Sequence, residues 1–368
     1  MPNVTLFVCG DVMTGRGIDQ VLPHPENPRL YEPYLHDARD YVRLAEEING
    51  PIPHRADVAY PWGDALDMLL SARTDVRLIN LETSITTSPA AWPGKEVHYR
   101  MHPGNIGCLT AARLDCCCLA NNHVLDWGYP GLDETLQTLD IAGIAHPGAG
   151  RNALEAASPA VLTLPGKGRL LVFALGSTTS GIPGDWAATA DRAGVNLLRD
   201  LSSETARSIT AALRPFKQPG DVAVASIHWG ANWEFRVPPE QIDFAHRLVE
   251  GGFDLVHGHS SHHLKPIEVY RDRLILYGCG DFLDDYEGIR GYEEFSPELR
   301  LGYLVKLDPQ DGRLLDLLLE PITIRQFRLQ RASEAEADWT CQLLNELSGP
   351  FDTRVLRATD GRLSVHRK

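Results

Sequence analysis

Short apolar runs recur along the chain and alternate with segments of helical periodicity. The runs are rich in Val, Ile, Leu and Cys and lack polar alternation, which is typical of strands buried on both faces. Segments 131–142 and 203–213 carry apolar residues at helical spacing. This alternation predicts a layered α/β fold. The apolar runs cover residues 6–9, 76–79, 116–120, 222–227 and 253–256.

Each apolar run ends abruptly in a small polar cluster. In layered α/β proteins, ligands bind outside the carboxyl ends of the strands, so clusters at five strand ends are expected to converge on one site. The clusters are Gly10-Asp11, Asn80-Leu81-Glu82, Asn121-Asn122-His123, His228-Trp229-Gly230 and His257-Gly258-His259.

Two other stretches differ from this pattern. Residues 22–62 are crowded with proline, and they predict an irregular insertion or lid over the site with one helix near 39–47. After residue 264, apolar runs at 266–270, 274–277, 303–307 and 315–319 predict antiparallel strands and hairpins. A final helix is expected near 335–347.

Composition narrows the class of protein. The 368 residues are 43% hydrophobic and 23% charged, which excludes disorder or coiled coil for the whole chain. A net charge of -14 argues against general binding to nucleic acid or anionic membranes. The start of the chain has neither a basic signal-peptide region nor a membrane-spanning run, so a cytoplasmic protein without a membrane span is expected. The sequence does not indicate the oligomeric state.

Seven cysteines are present, and three of them, Cys116, Cys117 and Cys118, are adjacent. No paired C-x-x-C spacing occurs, so neither a disulfide framework nor a cysteine zinc site is indicated. The apolar context of the triplet predicts buried strand residues.

The polar clusters together contain carboxylates, an amide and imidazoles, which is the ligand set of a divalent metal site. A carboxylate bridging two ions is typical of two-metal hydrolases. Each residue alone has a simpler explanation, such as a turn, a helix cap or a core histidine. Four histidines within residues 257–263 are harder to explain in that way and favour a metal or phosphate site. The candidates are Asp11, Glu82, Asn122, His123, His228, His259 and His262.

The order of these motifs resembles the CapA family of poly-γ-glutamate capsule proteins, which is similar to a divergent branch of the calcineurin-like metallophosphoesterases. The resemblance covers about residues 4–285. It rests on Gly10-Asp11-Val12-Met13 with Arg16, Asn80-Leu81-Glu82-Thr83, Ala120-Asn121-Asn122-His123 with Asp126 and Gly128, His228-Trp229-Gly230, and Gly258-His259 with His262, followed by Pro266-Ile267-Glu268 and Tyr277-Gly278-Cys279-Gly280-Asp281-Phe282.

This resemblance implies a metallophosphoesterase-like four-layer αββα sandwich. Residues 1–285 would form the main domain, with the insertion at about 22–62, and residues 286–368 a small antiparallel extension packed on it. Two divalent ions, Mn, Fe or Zn, would be bound. Asp11 would bind the first metal, Glu82 would bridge both, Asn122 and His228 would bind the second, and His259 and His262 would complete the two sites.

The same resemblance implies that His123 protonates the leaving oxygen and that Asp126 fixes its tautomer and raises its pKa. Phosphoesterases have His where this chain has Met13, so the first metal is expected to be weakly ligated. Arg16 and Arg100 are candidates to clamp a phosphate or carboxylate, although a solvated surface cation is the simpler explanation of each. Trp229, like Trp233, is a candidate for a ring-stacking wall or for the core.

Three functions follow from these features. The first is a metal-dependent hydrolase of a phosphoester or related bond in a small acidic or oligomeric substrate. The second is a γ-glutamyl amide hydrolase or transferase, as the capsule connection implies. The third is a non-catalytic subunit that binds an acidic polymer.

Overall fold

Two β-sheets packed face to face form the centre of the computed structural model, which describes residues 3–358 and 360–367. One apolar cluster joins Val8 and Cys9 of the first sheet to Val224 and Leu255 of the second. The strands are β1 (Val4–Val12), β2 (Val76–Leu81), β3 (Ser84–Ile85), β4 (Arg100–Met101), β5 (Cys116–Cys118), β6 (Ala149–Gly150), β7 (Ala160–Leu164), β8 (Gly168–Gly176), β9 (Gly194–Val195), β10 (Val222–His228), β11 (Leu255–His259), β12 (Ile267–Tyr270), β13 (Arg273–Leu276), β14 (Asp281–Leu283), β15 (Leu299–Leu307), β16 (Leu314–Arg325), β17 (Arg328–Arg331), β18 (Thr353–Arg357) and β19 (Leu363–Arg367).

The first sheet has the order β18-β19-β16-β15-β1-β2-β5, with β14 also paired to β1 and β17 to β16. Its strands β1, β2 and β5 are parallel, whereas β15 runs antiparallel to β1. The second sheet has the order β12-β13-β11-β10-β8-β7, and its four central strands are parallel. The carboxyl ends of β1, β2, β10 and β11 therefore come together at one edge of the sandwich.

Helices cover the outer faces of both sheets. Met68 of α3 packs against the first sheet, while Phe244 of α8 packs with Phe173 and Ala225 on the second. These layers confirm the predicted α/β sandwich. The helices are α1 (Arg16–Val21), α2 (Arg39–Asn49), α3 (Gly63–Ser71), α4 (Gly107–Ala111), α5 (Gly128–Ala142), α6 (Ala153–Ala157), α7 (Ser203–Leu213), α8 (Pro239–Glu250) and α9 (Glu334–Ser348).

Local sequence signals set several helix boundaries. The Ser202 side chain accepts a hydrogen bond from the Thr205 amide at the start of α7. A capping box between Ser333 and Glu336 begins α9. Both helices lie where the apolar periodicity predicts them.

The C-terminal region contributes strands to the centre of the first sheet. β15 pairs with β1 from Val4 opposite Leu307 to Val8 opposite Tyr303, and β16 pairs with β15. The strands β18 and β19 were not predicted, because their short alternating patterns resemble surface loops. The domain boundary at residue 285 stays a prediction.

Cys116, Cys117 and Cys118 are fully buried in β5, as the sequence predicts. All seven cysteines are free thiols. Within residues 3–358 and 360–367, no helix combines the length and the apolar character needed to cross a membrane.

Candidate metal centre

Strand pairing places the predicted acidic and imidazole side chains side by side. Asp11 pairs in register with Asn80 of β2 and with Asp281 of β14, and His228 pairs with His259 across β10 and β11. Gly10 permits this close approach, because a Cβ atom there would lie 1.7 Å from the Gly280 carbonyl oxygen.

Two groups of ligand atoms share Asp11. Asp11, His228 and His259 form one group, and Asp11, Glu82 and Asp281 form the other, with the ligand atoms of each group within 4.8 Å of one another. His259 Nδ1 lies 3.6 Å from Asp11 Oδ1 and 2.9 Å from His228 Nδ1. Ligand atoms that bind one ion at about 2.1 Å lie roughly 3.0 to 3.4 Å apart. The spacing of the first group therefore fits a shared divalent ion.

A chain of hydrogen bonds fixes the tautomer of His259. His257 Nε2 lies 2.7 Å from the Cys9 carbonyl oxygen, so this nitrogen donates. His257 Nδ1 then accepts from the Ser226 hydroxyl at 3.0 Å, and Ser226 Oγ accepts from His259 Nε2 at 2.9 Å. His259 Nδ1 is consequently left with a lone pair, which faces Asp11.

His228 presents a second lone pair to the same point. Its Nε2 lies 3.0 Å from Asn122 Oδ1 and donates to it, so its Nδ1 carries no proton. Two imidazole lone pairs and the Asp11 carboxylate thus face one another. Such an arrangement is repulsive without a proton or a cation between the groups, and its three inward-facing ligand atoms fit a bound metal ion.

Burial makes the carboxylates of Asp11 and Glu82 difficult to ionise without a cation. Burial, followed by the charge of Asp281, raises the pKa of Asp11 to about 7. Burial, followed by the charge of Asp11, raises the pKa of Glu82 well above its ordinary value. A divalent ion offsets this cost because it pairs with buried negative charge.

Asp281 is a residue of the centre that sequence reasoning missed. His262 Nδ1 lies 3.0 Å from both Asp281 oxygens. His262 therefore contacts the centre through a hydrogen bond to Asp281. Burial lowers the pKa of His262, but the charge of Asp281 outweighs it and the net pKa is raised. A signal was present, because Gly280-Asp281 repeats the Gly10-Asp11 pattern.

Backbone strain accompanies the cluster. Ser260, directly after His259, has φ of +101°, and its backbone amide donates to Asp11 Oδ2 at 3.1 Å.

Met13 lies directly after β1 and is buried. It places a thioether where the resemblance to phosphoesterases implies a histidine. Asp281 brings a carboxylate to this side of the centre.

His123 lies next to the cluster, with Nε2 3.8 Å from Glu82 Oε1. Its Nδ1 is 2.6 Å from Asp126 Oδ2, as expected for an orienting carboxylate. Lys95, which the sequence did not single out, donates to Asp126 Oδ1 at 2.5 Å and lies 3.1 Å from His123 Nδ1. The expectation that Asp126 raises the pKa of His123 is wrong: burial first, and then the charge of Lys95, lower the pKa well below its ordinary value.

The predicted substrate-binding residues occupy structural positions. Arg16 donates from Nη1 to Glu32 at 2.8 Å and from Nη2 to Asp285 at 2.5 Å. Arg100 lies over the Trp127 ring at 3.7 Å and donates to the Ser88 carbonyl oxygen. Trp229 is buried in the second apolar cluster, where its indole N–H donates to the Tyr277 carbonyl oxygen at 3.0 Å.

The chain belongs to the family described as bacterial capsule synthesis protein PGA_cap, whose family model matches residues 5–286. This match confirms the resemblance to CapA proteins.

Named relatives support this membership. A probable polyglutamine synthesis accessory protein from Mycobacterium tuberculosis (strain H37Rv) is 48% identical over 363 residues, which cover 98% of this chain and 96% of the relative. The capsule biosynthesis protein CapA of Bacillus anthracis is 27% identical over 77% of this chain and 60% of its own length. Among solved structures, a 5'-nucleotidase precursor from Thermus thermophilus aligns with a TM-score of 0.48 and 16% identity, over 88% of this chain and 55% of that chain.

Proposed function

We propose that this protein is a metal-dependent hydrolase that cleaves a phosphoester or related bond of a small acidic substrate. The observation that carries the proposal is the pair of ligand groups sharing Asp11, with His123 Nε2 3.8 Å from Glu82. Asp11, His228 and His259 would hold one ion, and Asp11, Glu82 and Asp281 a second. Bound divalent ions supply Lewis acidity and lower the pKa of a nearby water.

The side chains around the ions have separate roles in proton transfer and in orienting the ligands. Because its Nδ1–H is held by Asp126, neutral His123 presents a lone pair at Nε2, which would accept a proton from the attacking water and deliver it to the leaving oxygen. The Tyr99 ring stacks on the imidazole at 3.8 Å between centroids and restricts its rotation. Asn122 orients His228 by accepting its Nε2–H.

A second candidate function is hydrolysis or transfer of a γ-glutamyl amide bond. It is favoured by the names of the relatives, which refer to polyglutamine synthesis and to capsule biosynthesis. The same ligand groups and the same proton transfer at His123 would serve amide cleavage, so the two candidates differ in the substrate and not in the centre.

Turnover assays on the purified protein separate these functions. p-Nitrophenyl phosphate and a γ-linked glutamate oligomer are each offered to metal-loaded and chelator-treated protein. Metal-dependent release of nitrophenol supports the phosphoesterase, and release of glutamate supports the amide hydrolase. The variant His123→Gln should lose the activity, whereas His146→Gln, at an exposed pair with Asp140, should retain it. Metal-loaded protein that binds the oligomer and cleaves neither substrate contradicts both and favours a non-catalytic subunit.

A further inference from the structure

An aromatic cavity of about 440 Å³ opens beside the candidate metal centre. His262, which is bonded to Asp281, is part of its lining. Tyr99, whose ring stacks on His123, is another part. The cavity therefore borders the centre through the side chains of His262 and Tyr99.

Three separate parts of the chain build the walls. The Pro-rich insertion contributes Tyr34 and Tyr41, and the segment after β10 contributes Trp233. The loop between β14 and β15 contributes Tyr292, whose ring stacks on Trp233 with centroids 4.0 Å apart. The six aromatic rings of the lining are those of Tyr34, Tyr41, Tyr99, Trp233, Tyr286 and Tyr292.

The cavity has little positive charge to offer an anion. Each of the three guanidinium nitrogens of Arg16 is bonded to a carboxylate of Asp285 or Glu32. Glu32 and Glu96 also line the cavity, so carboxylates outnumber the guanidinium. A chain of free carboxylates would find only an already paired guanidinium along this wall, together with two carboxylates of like charge.

We propose that this cavity binds an uncharged aromatic ring of the substrate, while the bond to be cleaved lies at the metal centre. The inference rests on the proposed function, and it adds the class of substrate. An apolar cavity of roughly 150 Å³ holds one benzene molecule, so the space here suffices for a fused ring or for a ring with an attached sugar. Aromatic walls favour such a ring through area burial and through edge or offset stacking.

Two phosphate esters whose leaving oxygens have similar basicity, one with an aromatic ring and one without, show how much the ring contributes to kcat/KM. Benzyl phosphate and methyl phosphate are compared by kcat/KM with Mn²⁺ present. The benzyl ester should be favoured about tenfold or more. Tyr34→Ala and Trp233→Ala should each reduce that ratio several-fold. Tyr34 is 90% exposed, so its replacement leaves folding intact. Tyr129→Ala, at an exposed tyrosine on α5, is the matched control and should keep the parent ratio.

A binding measurement separates failure of this inference from failure of the proposed function. Phenylphosphonate and methylphosphonate are not hydrolysed, and their affinities for metal-loaded protein are compared by calorimetry. Tighter binding of phenylphosphonate that depends on Tyr34 and Trp233 supports the ring site even if neither ester is hydrolysed. Hydrolysis of both esters at equal kcat/KM, with equal phosphonate affinities, overturns the ring site and leaves the hydrolase intact.

Discussion

His123 Nδ1 lies 2.6 Å from Asp126 Oδ2, inside the structure and next to the candidate metal centre. Asp126 is fully buried, and it also accepts from Lys95 and from the Tyr99 amide. The carboxylate is therefore held rigidly by three donors, and it fixes the imidazole with Nε2 directed toward Glu82.

The variant Asp126→Asn should lower kcat roughly 100- to 10,000-fold while metal content stays at the parent level, because the amide no longer fixes the tautomer of His123. Steady-state kinetics and elemental analysis measure the two quantities. Asp140→Asn disrupts an exposed His–Asp pair with His146 and serves as the control. Equal kcat for Asp126→Asn and the parent would show that the pair has no part in turnover.

The variant Ser226→Ala should weaken metal binding about 10- to 100-fold, because it breaks the hydrogen-bond chain that directs the lone pair of His259 toward Asp11. Competition with a chromogenic chelator measures the affinity. Ser348→Ala removes a buried serine at the end of α9, where the hydroxyl accepts from the Ile267 amide, and is the matched control. If both variants bind metal equally well, the relay does not prepare His259 as a ligand.

The variant Arg16→Met should lower the free energy of unfolding by about 3–5 kcal/mol, because Asp285 and Glu32 would lose their buried partner. Urea denaturation measures this loss. Arg39→Met breaks an exposed pair with Asp37 and should leave the free energy of unfolding close to that of the parent. Similar losses for the two variants would contradict the structural role assigned to Arg16.

Asp19 should make the protein less stable as the pH rises from about 4 to about 7. Burial raises the pKa of Asp19 to about 7 from an ordinary 3.8, although the amides of Glu26 and His102 and the side chain of Asn105 donate to it. The folded state then holds a proton that the unfolded state has released, so stability is lost as the pH rises through this window. The contribution amounts to at most about 4 kcal/mol.

Urea unfolding of Asp19→Asn at pH 5 and pH 8 tests this sign. The decrease in the free energy of unfolding from pH 5 to pH 8 should be smaller in the variant than in the parent. Asp67→Asn, at an exposed aspartate of α3, controls for the removal of one charge. A variant whose stability falls as steeply as that of the parent would show that Asp19 does not carry the effect.

Much of the centre could be predicted because its residues end apolar runs. Asp11, Glu82, His228 and His259 each follow such a run, and parallel strands bring their carboxyl ends to one edge. Asp281 escaped prediction because β14 has only three residues and gives no distinct apolar signal.

Lys95 could not be predicted, because its contact with Asp126 depends on the path of an irregular loop. The sequence shows the carboxylate of Asp126 near His123, which predicts a raised pKa. It does not show the burial of His123 or the ammonium group of Lys95, which lower the pKa. The bonds of Arg16 to Asp285 and Glu32 could not be predicted either, because these partners lie 269 and 16 residues away along the chain.

Elemental metal content per chain, measured on untagged protein purified without chelator, shows whether the two ligand groups hold metal ions. Asp11 belongs to both ligand groups, so Asp11→Asn should lose most of the metal while circular dichroism shows that it is folded. The prediction is about two ions per chain in the parent and less than one in the variant. A folded parent that holds no metal even after soaking with Mn²⁺ and Zn²⁺, or a variant with the metal content of the parent, would contradict it.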